Sequence, residues 1–235
     1  MAVSAAAIVV KVGGELIDGA RLVAIGREMR GLADAGYRVI IVHGGGPQAS
    51  DLQKRLGLQP VQVGGRRVTD AATLDVMKMV VAGRLNIDLC GALNSAGVRA
   101  VGLHGASAGA IRATRRPPRV ISGGGEDPVD LGLVGDVVGF NLDLFHLLAE
   151  AGYVIVLACV GADESGQAFN INADTVAAEL ASALQAGALV LVTGAPWSPS
   201  ERQGSLVAHC QTHRGGRTSD DGRWIGPGRN DRETR

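Results

Sequence analysis

Four short stretches carry residue types that could act on an anion. Lys11-Val12-Gly13-Gly14 sets a lysine just ahead of paired glycines. At a strand end, that lysine can reach a phosphate while backbone N–H groups approach closely. The same residues would also make an ordinary strand-ending turn with a solvated lysine. His43-Gly44-Gly45-Gly46-Pro47 puts three glycines before a helix start. Free N–H donors and the helix dipole make such a turn an anion site, though it also serves as a tight strand-to-helix connection. It is neither a Walker A loop, whose Gly-Lys-Ser/Thr is missing, nor the GxGxxG dinucleotide fingerprint. Arg66-Arg67-Val68-Thr69-Asp70 precedes a long helical pattern. An arginine there could grip a carboxylate through two hydrogen bonds, or lie on the surface at a helix start. Asn170-Ile171-Asn172-Ala173-Asp174 alternates polar side chains ahead of another helical stretch. One of them can cap the helix, which leaves two to face whatever lies beyond the strand ends.

A competing constellation exists. His43-Gly44-Gly45-Gly46 also fits the oxyanion loop of some esterases, and Gly105-Ala106-Ser107-Ala108-Gly109 fits the nucleophile elbow. Three points weigh against a serine esterase. Arg115-Arg116-Pro117-Pro118 breaks the chain where the elbow needs a helix. Of the later histidines, His146 lies within a helical pattern, and His209 and His213 lie in a segment of foreign composition. Lys11 and Asn170-Ile171-Asn172-Ala173-Asp174 are left idle.

The elements that must position these residues alternate strand with helix. Ala7–Val12, Val39–Val42, Ala100–Leu103, Val154–Cys159 and Leu189–Val192 are short apolar runs and read as buried strands. Ala20–Ala35, Pro47–Leu56, Leu142–Ala151 and Ala173–Leu184 read as helices, as does Ala71–Ala96 with a break near Gly83. Arg112–Gly139 reads as a hairpin or loop excursion at the edge. Continuous rather than alternating apolar strands call for a parallel or mixed sheet covered on both faces. Ligands of such sheets sit beyond the carboxyl ends of the strands.

Composition narrows the class. The chain of 235 residues is 46% hydrophobic but only 3% aromatic, so its core must be aliphatic. A formal net charge of +0 offers no global attraction to nucleic acid or an anionic membrane. Cys90, Cys159 and Cys210 are far apart and form no CxxC, which points to a reduced, cytoplasmic setting. No apolar run approaches the roughly 18 residues of a membrane span. The apolar N-terminus lacks the basic start of a signal peptide.

Taken together and in this order, the four motifs resemble the amino acid kinase family, specifically its arginine-biosynthetic branch. Met77-Lys78-Met79-Val80-Val81-Ala82-Gly83 and Leu189–Thr193 add to the likeness, which covers roughly residues 7–193. The resemblance implies an α/β fold, a three-layer αβα sandwich with a mostly parallel central sheet. It implies a small-molecule substrate, N-acetyl-L-glutamate, whose side-chain carboxylate is phosphorylated by ATP with Mg²⁺. The metal would be held by the nucleotide phosphates rather than by protein ligands. Lys11 would stabilise the transferred phosphoryl group, and Asp174 would orient that lysine. Gly13 and Gly14 would lie along the ATP phosphates. Gly44, Gly45 and Gly46 would hold substrate and γ-phosphate through N–H donors. Arg67 would grip the α-carboxylate, and Asn170 and Asn172 would also bind substrate. A homodimer insensitive to arginine is implied, because the chain begins directly at the first strand. Two neighbouring readings are a kinase for a carrier-protein-linked aminoadipate or glutamate, and a non-catalytic remnant that only binds acylated glutamate.

Composition shifts after Thr193. Gly194–Arg235 holds both tryptophans, seven arginines and no lysine, and is expected to be a disordered tail outside the family. The resemblance implies an ATP-binding lobe here, with a Gly-Gly-Met-Ile-x-Lys lysine as second cation on the phosphates, yet the last lysine is Lys78. Written as degenerate codons and read one base later, Pro196–Ser200 permits Pro-Gly-Leu-Leu-Arg. Gly204–Cys210 then permits Asp-Pro-Ser-Ser-Leu-Ile, and Gly228–Arg235 permits Gly-Gly-Met-Ile-x-Lys-Leu. Three such matches in register lead us to expect a frameshift near Gly194, the alternative being a divergent encoded tail. Loss of the lobe is also expected to leave the apolar strand at Leu189–Val192 as an uncovered edge.

Overall fold

The structure, a computed structural model, describes residues 6–194 and the backbone of three short strands beyond them. Its first unit is β1 (Ala7–Val12), α1 (Gly19–Asp34) and β2 (Arg38–His43), with β1 and β2 paired in parallel. After β2 come α2 (Gly46–Arg55) and a small hairpin of β3 (Gln62–Val63) and β4 (Arg66–Arg67). One long helical rod follows: α3 (Ala71–Met77), a π-helical segment (Lys78–Leu85) and α4 (Asn86–Ser95). The chain then runs through β5 (Ala100–Leu103), β6 (Ile111–Arg115), β7 (Gly135–Phe140), α5 (Leu142–Glu150) and β8 (Val154–Ala158). It continues with β9 (Val160–Ala162), β10 (Ala168–Asn170), α6 (Ala173–Ala183) and β11 (Ala188–Thr193). The outlying strands are β12 (Val207–Gln211), β13 (Arg217–Thr218) and β14 (Trp224–Ile225).

The main sheet has the order β12-β11-β1-β2-β8-β5, with every neighbouring pair parallel except β11 with β12. Right-handed crossovers decide which face each helix covers. The connections β1 to β2 and β2 to β5 run one way along the sheet and lay α1 and the long rod on one face. Those from β5 to β8 and from β8 to β11 run the other way and lay α5 and α6 on the opposite face. Contacts agree: α1 packs on α4, whereas α6 packs on β1, β2 and β11. Strands between two helical layers must be apolar on both sides. All of β8 is buried, as are five of the six residues of β2. This is the expected three-layer sandwich. A second sheet, β10-β9-β6-β7, sits beside it.

The structure departs from the sequence pattern in three places. The break predicted near Gly83 is instead a π-helical stretch, and the rod runs on without interruption. Met77, Val81, Leu85, Leu89 and Leu93 are all buried at intervals of four. That interval exceeds the 3.6 residues of an α turn, and wider π turns absorb the excess, keeping the stripe on one face. The excursion at Arg112–Gly139 does contain a hairpin, β6 with β7, but it belongs to the second sheet, whose strands β9 and β10 the pattern does not predict. Finally, β12 pairs antiparallel with β11 from Leu189↔Gln211 to Thr193↔Val207, so β11 is not the bare edge expected. An apolar edge strand offers a ladder of N–H and C=O groups to any extended segment. The short strands at 207–211, 217–218 and 224–225 fall within the segment expected to be a tail. The rest of that expectation, and the proposed change of frame, fall on residues outside those described.

Candidate functional site

The loops leaving β2 and β8 turn to opposite faces of the sheet, α2 going one way and β9, β10 and α6 the other. Adjacent parallel strands whose exits diverge leave a crevice at their carboxyl ends. A cavity of about 390 Å³ lies there, lined by Gly44, Gly45, Gly46, Arg67, Asn170 and Asn172 among others. Arg66, Arg116, Ser50 and Cys159 share its wall. Lys11, Gly13, Gly14 and Asp174 are not in that lining. They lie beside it, at the exits of β1 and β10.

Arg67 is held by neutral acceptors. Its guanidinium donates to the Gln53 side-chain carbonyl, to the Gly46 carbonyl at 2.9 Å and to the Ser50 hydroxyl at 2.7 Å. Gln53 is itself braced by donating to the Thr73 hydroxyl at 3.0 Å. Burial pushes the guanidinium below its ordinary pKa. No carboxylate partner accompanies Arg67 among the described residues. Arg116 differs: Asp136 binds it at 2.7 Å, neutralising the charge, and Asp136 also holds Arg119.

The segment carrying Arg67 is sewn to the segment carrying Asn170, a hundred residues later. Thr69 N–H donates to the Leu131 carbonyl, Leu133 N–H donates to the Thr69 carbonyl, and Asn170 N–H donates to the Leu133 carbonyl. The Asn170 amide donates to the Thr69 hydroxyl at 3.1 Å. Gly132, at φ +74, permits the crossing, because a Cβ there would lie 2.5 Å from the Thr69 carbonyl oxygen. Asn172 is the N-cap of α6, accepting from Thr175 N–H at 3.0 Å. The bland reading therefore holds for that residue, although it also reaches the cavity wall.

Beside the cavity, the Lys11 ammonium meets Asp174 at 3.1 Å, with the lysine well covered and the aspartate about half exposed. The two glycine loops touch. A Cβ on Gly14 would come within 2.8 Å of Gly45 Cα, and one on Gly45 would strike Leu85 at 2.5 Å. Gln48 bridges them by donating to the Gly14 carbonyl. The N–H donors are not equivalent. That of Gly13 is spent on the Val192 carbonyl, and that of Gly44 leans on Val12 at 3.4 Å. Gly45 and Gly46 N–H have no partner among the described residues and precede or open α2, where the dipole favours an anion. Across the β1 exit, the Glu15 carboxylate accepts from the Thr193 hydroxyl at 3.3 Å and Gly194 N–H at 3.2 Å. Burial raises its pKa, but these donors, its own backbone N–H and Lys11 outweigh that and lower it overall.

Three groups at the site have contacts that the sequence patterns do not give. His43 is fully buried, its ring placed between the Gly44 carbonyl at 3.0 Å and the Asn86 side chain at 3.1 Å. Burial depresses its pKa from 6.5 to about 4, against the opposing pull of Gly44. Asn86 and Gln53 are the other two, each a polar residue on a buried helical face. A lone amide inside an apolar stripe is the signal that could have found them. The Cys159 thiol, pushed up to about 12 by burial, is inert.

The esterase arrangement is not formed. The Ser107 hydroxyl accepts from His104 N–H at 3.2 Å, and the turn at 105–109 leads into strand β6 rather than a helix. Of the candidate bases, His146 lies within α5 as its helical pattern predicts.

The amino acid kinase family matches residues 6–196. The chain belongs to this family. A relative from Anaeromyxobacter sp. (strain K), named acetylglutamate kinase, is 65% identical over 189 residues, which is 80% of this chain and 70% of that relative. One of the same name from Methanopyrus kandleri is 45% identical over 188 residues, 80% of this chain and 71% of its own length. Among solved structures, N-acetylglutamate synthase from Neisseria gonorrhoeae, complexed with coenzyme A and N-acetyl-glutamate, superposes with a TM-score of 0.68 at 25% identity. It covers 81% of this chain and 42% of the synthase. The protein smu.665 from Streptococcus mutans UA159 has a TM-score of 0.68 at 26% identity, covering 80% of this chain and 72% of that one. Residues 197–235 lie outside the family match. No helix among the described residues is long and apolar enough to cross a membrane.

Proposed function

We propose that the chain is built to phosphorylate the side-chain carboxylate of N-acetyl-L-glutamate, forming an acyl phosphate. The observation that carries this is Arg67, a half-buried guanidinium aimed into the cavity with only neutral partners. A substrate carboxylate supplies the missing anion and meets the guanidinium hydrogens that these neutral partners leave open. Relatives named acetylglutamate kinase support the choice of substrate.

In this reading, Arg67 and Asn170 orient the α-carboxylate end, and the side-chain carboxylate points toward Gly45, Gly46 and Lys11. An ionised carboxylate needs no general base, so the protein's work is positioning and charge neutralisation. Lys11, held by Asp174, meets the transferred phosphoryl group, and unspent glycine N–H groups receive its oxygens. The donor set around Lys11, an ammonium and backbone amides, suits phosphate oxygens. Mg²⁺ would arrive with the nucleotide and supply positive charge to the phosphates.

A second reading has its own observation: no lysine follows Lys78 in the 235 residues. The family resemblance implies a second cation on the phosphates from the far lobe. Losing one such clamp typically costs about 2.7–4 kcal/mol of transition-state stabilisation, or 10²–10³ in rate. We therefore expect this polypeptide to bind N-acetyl-L-glutamate but to turn it over slowly. Calorimetry with N-acetyl-L-glutamate, alongside hydroxylamine trapping of the acyl phosphate in the presence of ATP and Mg²⁺, separates the readings. Binding with fast trapping supports an intact enzyme, and binding with slow or no trapping supports the impaired form. Absence of binding refutes the substrate assignment.

A further inference from the structure

We propose that His43 and Asn86 form a buried brace that holds the glycine loop in its receptive shape, with His43 in one defined tautomer. This makes both of them positioning residues, and the effect on substrate rests on the function proposed above.

The deduction starts from a group that can only accept. Asn86 Nδ2 lies 3.0 Å from the Val156 carbonyl oxygen in the middle of β8. A carbonyl accepts only, so the Asn86 amide must present its NH₂ there, and its orientation is thereby fixed. The second hydrogen of the same NH₂ points at His43 Nε2, 3.1 Å away. Nε2 must therefore accept, and the neutral ring must carry its proton on Nδ1. Nδ1 lies 3.0 Å from the Gly44 carbonyl oxygen and donates to it. Every bond in the chain Val156–Asn86–His43–Gly44 now has one direction, and reversing any link leaves two donors or two acceptors facing each other in the interior. Such a mismatch is costly at a fully buried site.

The consequence lies one residue further on. Fixing the Gly44 carbonyl fixes the plane of the Gly44–Gly45 peptide, whose other end is the Gly45 N–H. That N–H is one of the two unspent donors of the loop. His43 thus sets the aim of a donor it does not touch, and the long helical rod supplies the anchor through Asn86, the first residue after its π segment.

The test combines a spectroscopic readout with two substitutions of different logic. Long-range ¹H–¹⁵N spectra of the wild-type chain should show His43 as the neutral Nδ1–H tautomer. An Nε2–H tautomer would overturn the brace, whether or not any ligand binds. In His43→Asn, the amide can still donate to Gly44 from near the Nδ1 position but cannot reach Asn86. In His43→Gln, the amide can face Asn86 but not Gly44. Calorimetry with N-acetyl-L-glutamate should then find the affinity of His43→Asn within about threefold of wild type and that of His43→Gln weaker by about tenfold, the scale of one lost buried hydrogen bond. Thermal unfolding of both variants corrects for stability lost by simply emptying the ring's space. Equal affinities at equal fold loss, or the opposite order, overturns the proposal. If the wild-type chain does not bind N-acetyl-L-glutamate, the substrate reading fails while the tautomer still decides the brace.

Discussion

The two halves of the site are held in different ways. On the cavity side, Arg67, Asn170, His43 and the glycine loop are tied into the interior by hydrogen bonds from three separate parts of the chain. At the exit of β1, Lys11 and Asp174 form one ion pair at a partly exposed position, and Glu15 spans the exits of β1 and β11 at the surface. Buried, fully satisfied networks fix geometry, whereas exposed pairs contribute little to stability. The difference teaches that the cavity side should behave as part of the core and the β1 exit as a set of replaceable surface contacts.

Breaking the cavity side should cost most. The His43 imidazole is neutral in the fold and its pKa is lowered to about 4. Between pH 6.5 and 4, the unfolded chain binds a proton that the folded chain refuses. Stability present above pH 6.5 is therefore lost as pH falls through that window, by about 3 kcal/mol in all. Urea titrations at pH 7 and pH 4 on wild type and His43→Asn would isolate this, since the variant lacks the titration and should lose less on acidification.

Arg67→Ala removes the charge that the cavity exposes to a carboxylate. Calorimetry should show N-acetyl-L-glutamate affinity falling about a hundredfold, close to 2.7 kcal/mol. An unchanged affinity would mean that another cation of the wall, Arg66 or Arg116, receives the carboxylate.

Gly45→Ala forces a methyl against Leu85 and Val81 in the π segment. Overpacking of this kind costs about 1–3 kcal/mol, to be read as a lower urea midpoint.

Asn172→Ala should cost about 1 kcal/mol through the lost cap, while Asn172→Asp, which caps equally well, restores stability. If affinity for N-acetyl-L-glutamate follows the cap, the residue acts on substrate only through α6. A drop in Asn172→Asp alone would make it a direct contact.

The smallest effect on stability belongs to the Lys11–Asp174 pair. Asp174→Asn should change unfolding free energy by less than about 1 kcal/mol, because the pair is partly solvated. It should nevertheless reduce trapped acyl phosphate, since Lys11 loses its anchor. A large loss of stability would erase the contrast between the halves.

How much of this was legible in the sequence follows the same division. The apolar runs at 7–12, 39–42, 100–103, 154–159 and 189–192 mark the main sheet because strands buried on both faces have no polar alternation to obscure them. The second sheet stayed hidden because β9 and β10 are three residues each, too short for periodicity to register. That Gly44, Gly45, Gly46, Arg67 and Asn170 share one cavity was legible because a glycine cluster, an arginine pair and alternating amides stand out between apolar runs. Gln53, Ser50, Thr69 and Asn86 were not, because each looks like an ordinary polar residue until the chain places a partner opposite it. Asn172 was ambiguous in the sequence for a good reason: a helix cap and a cavity-lining amide need the same residue at the same place.

The π segment at 78–85 also makes the rod a counted length. Each residue added to or removed from a helix rotates everything beyond it by about 100°. Inserting one further residue between Lys78 and Leu85 adds a step to the rod, a change the helix itself would tolerate. It would nonetheless swing Asn86 away from His43 and turn Leu89 and Leu93 out of their stripe. Substitutions along the exposed side, at Met79 or Ile87, carry no such penalty. This stretch should therefore accept many changes of letter and no added residue.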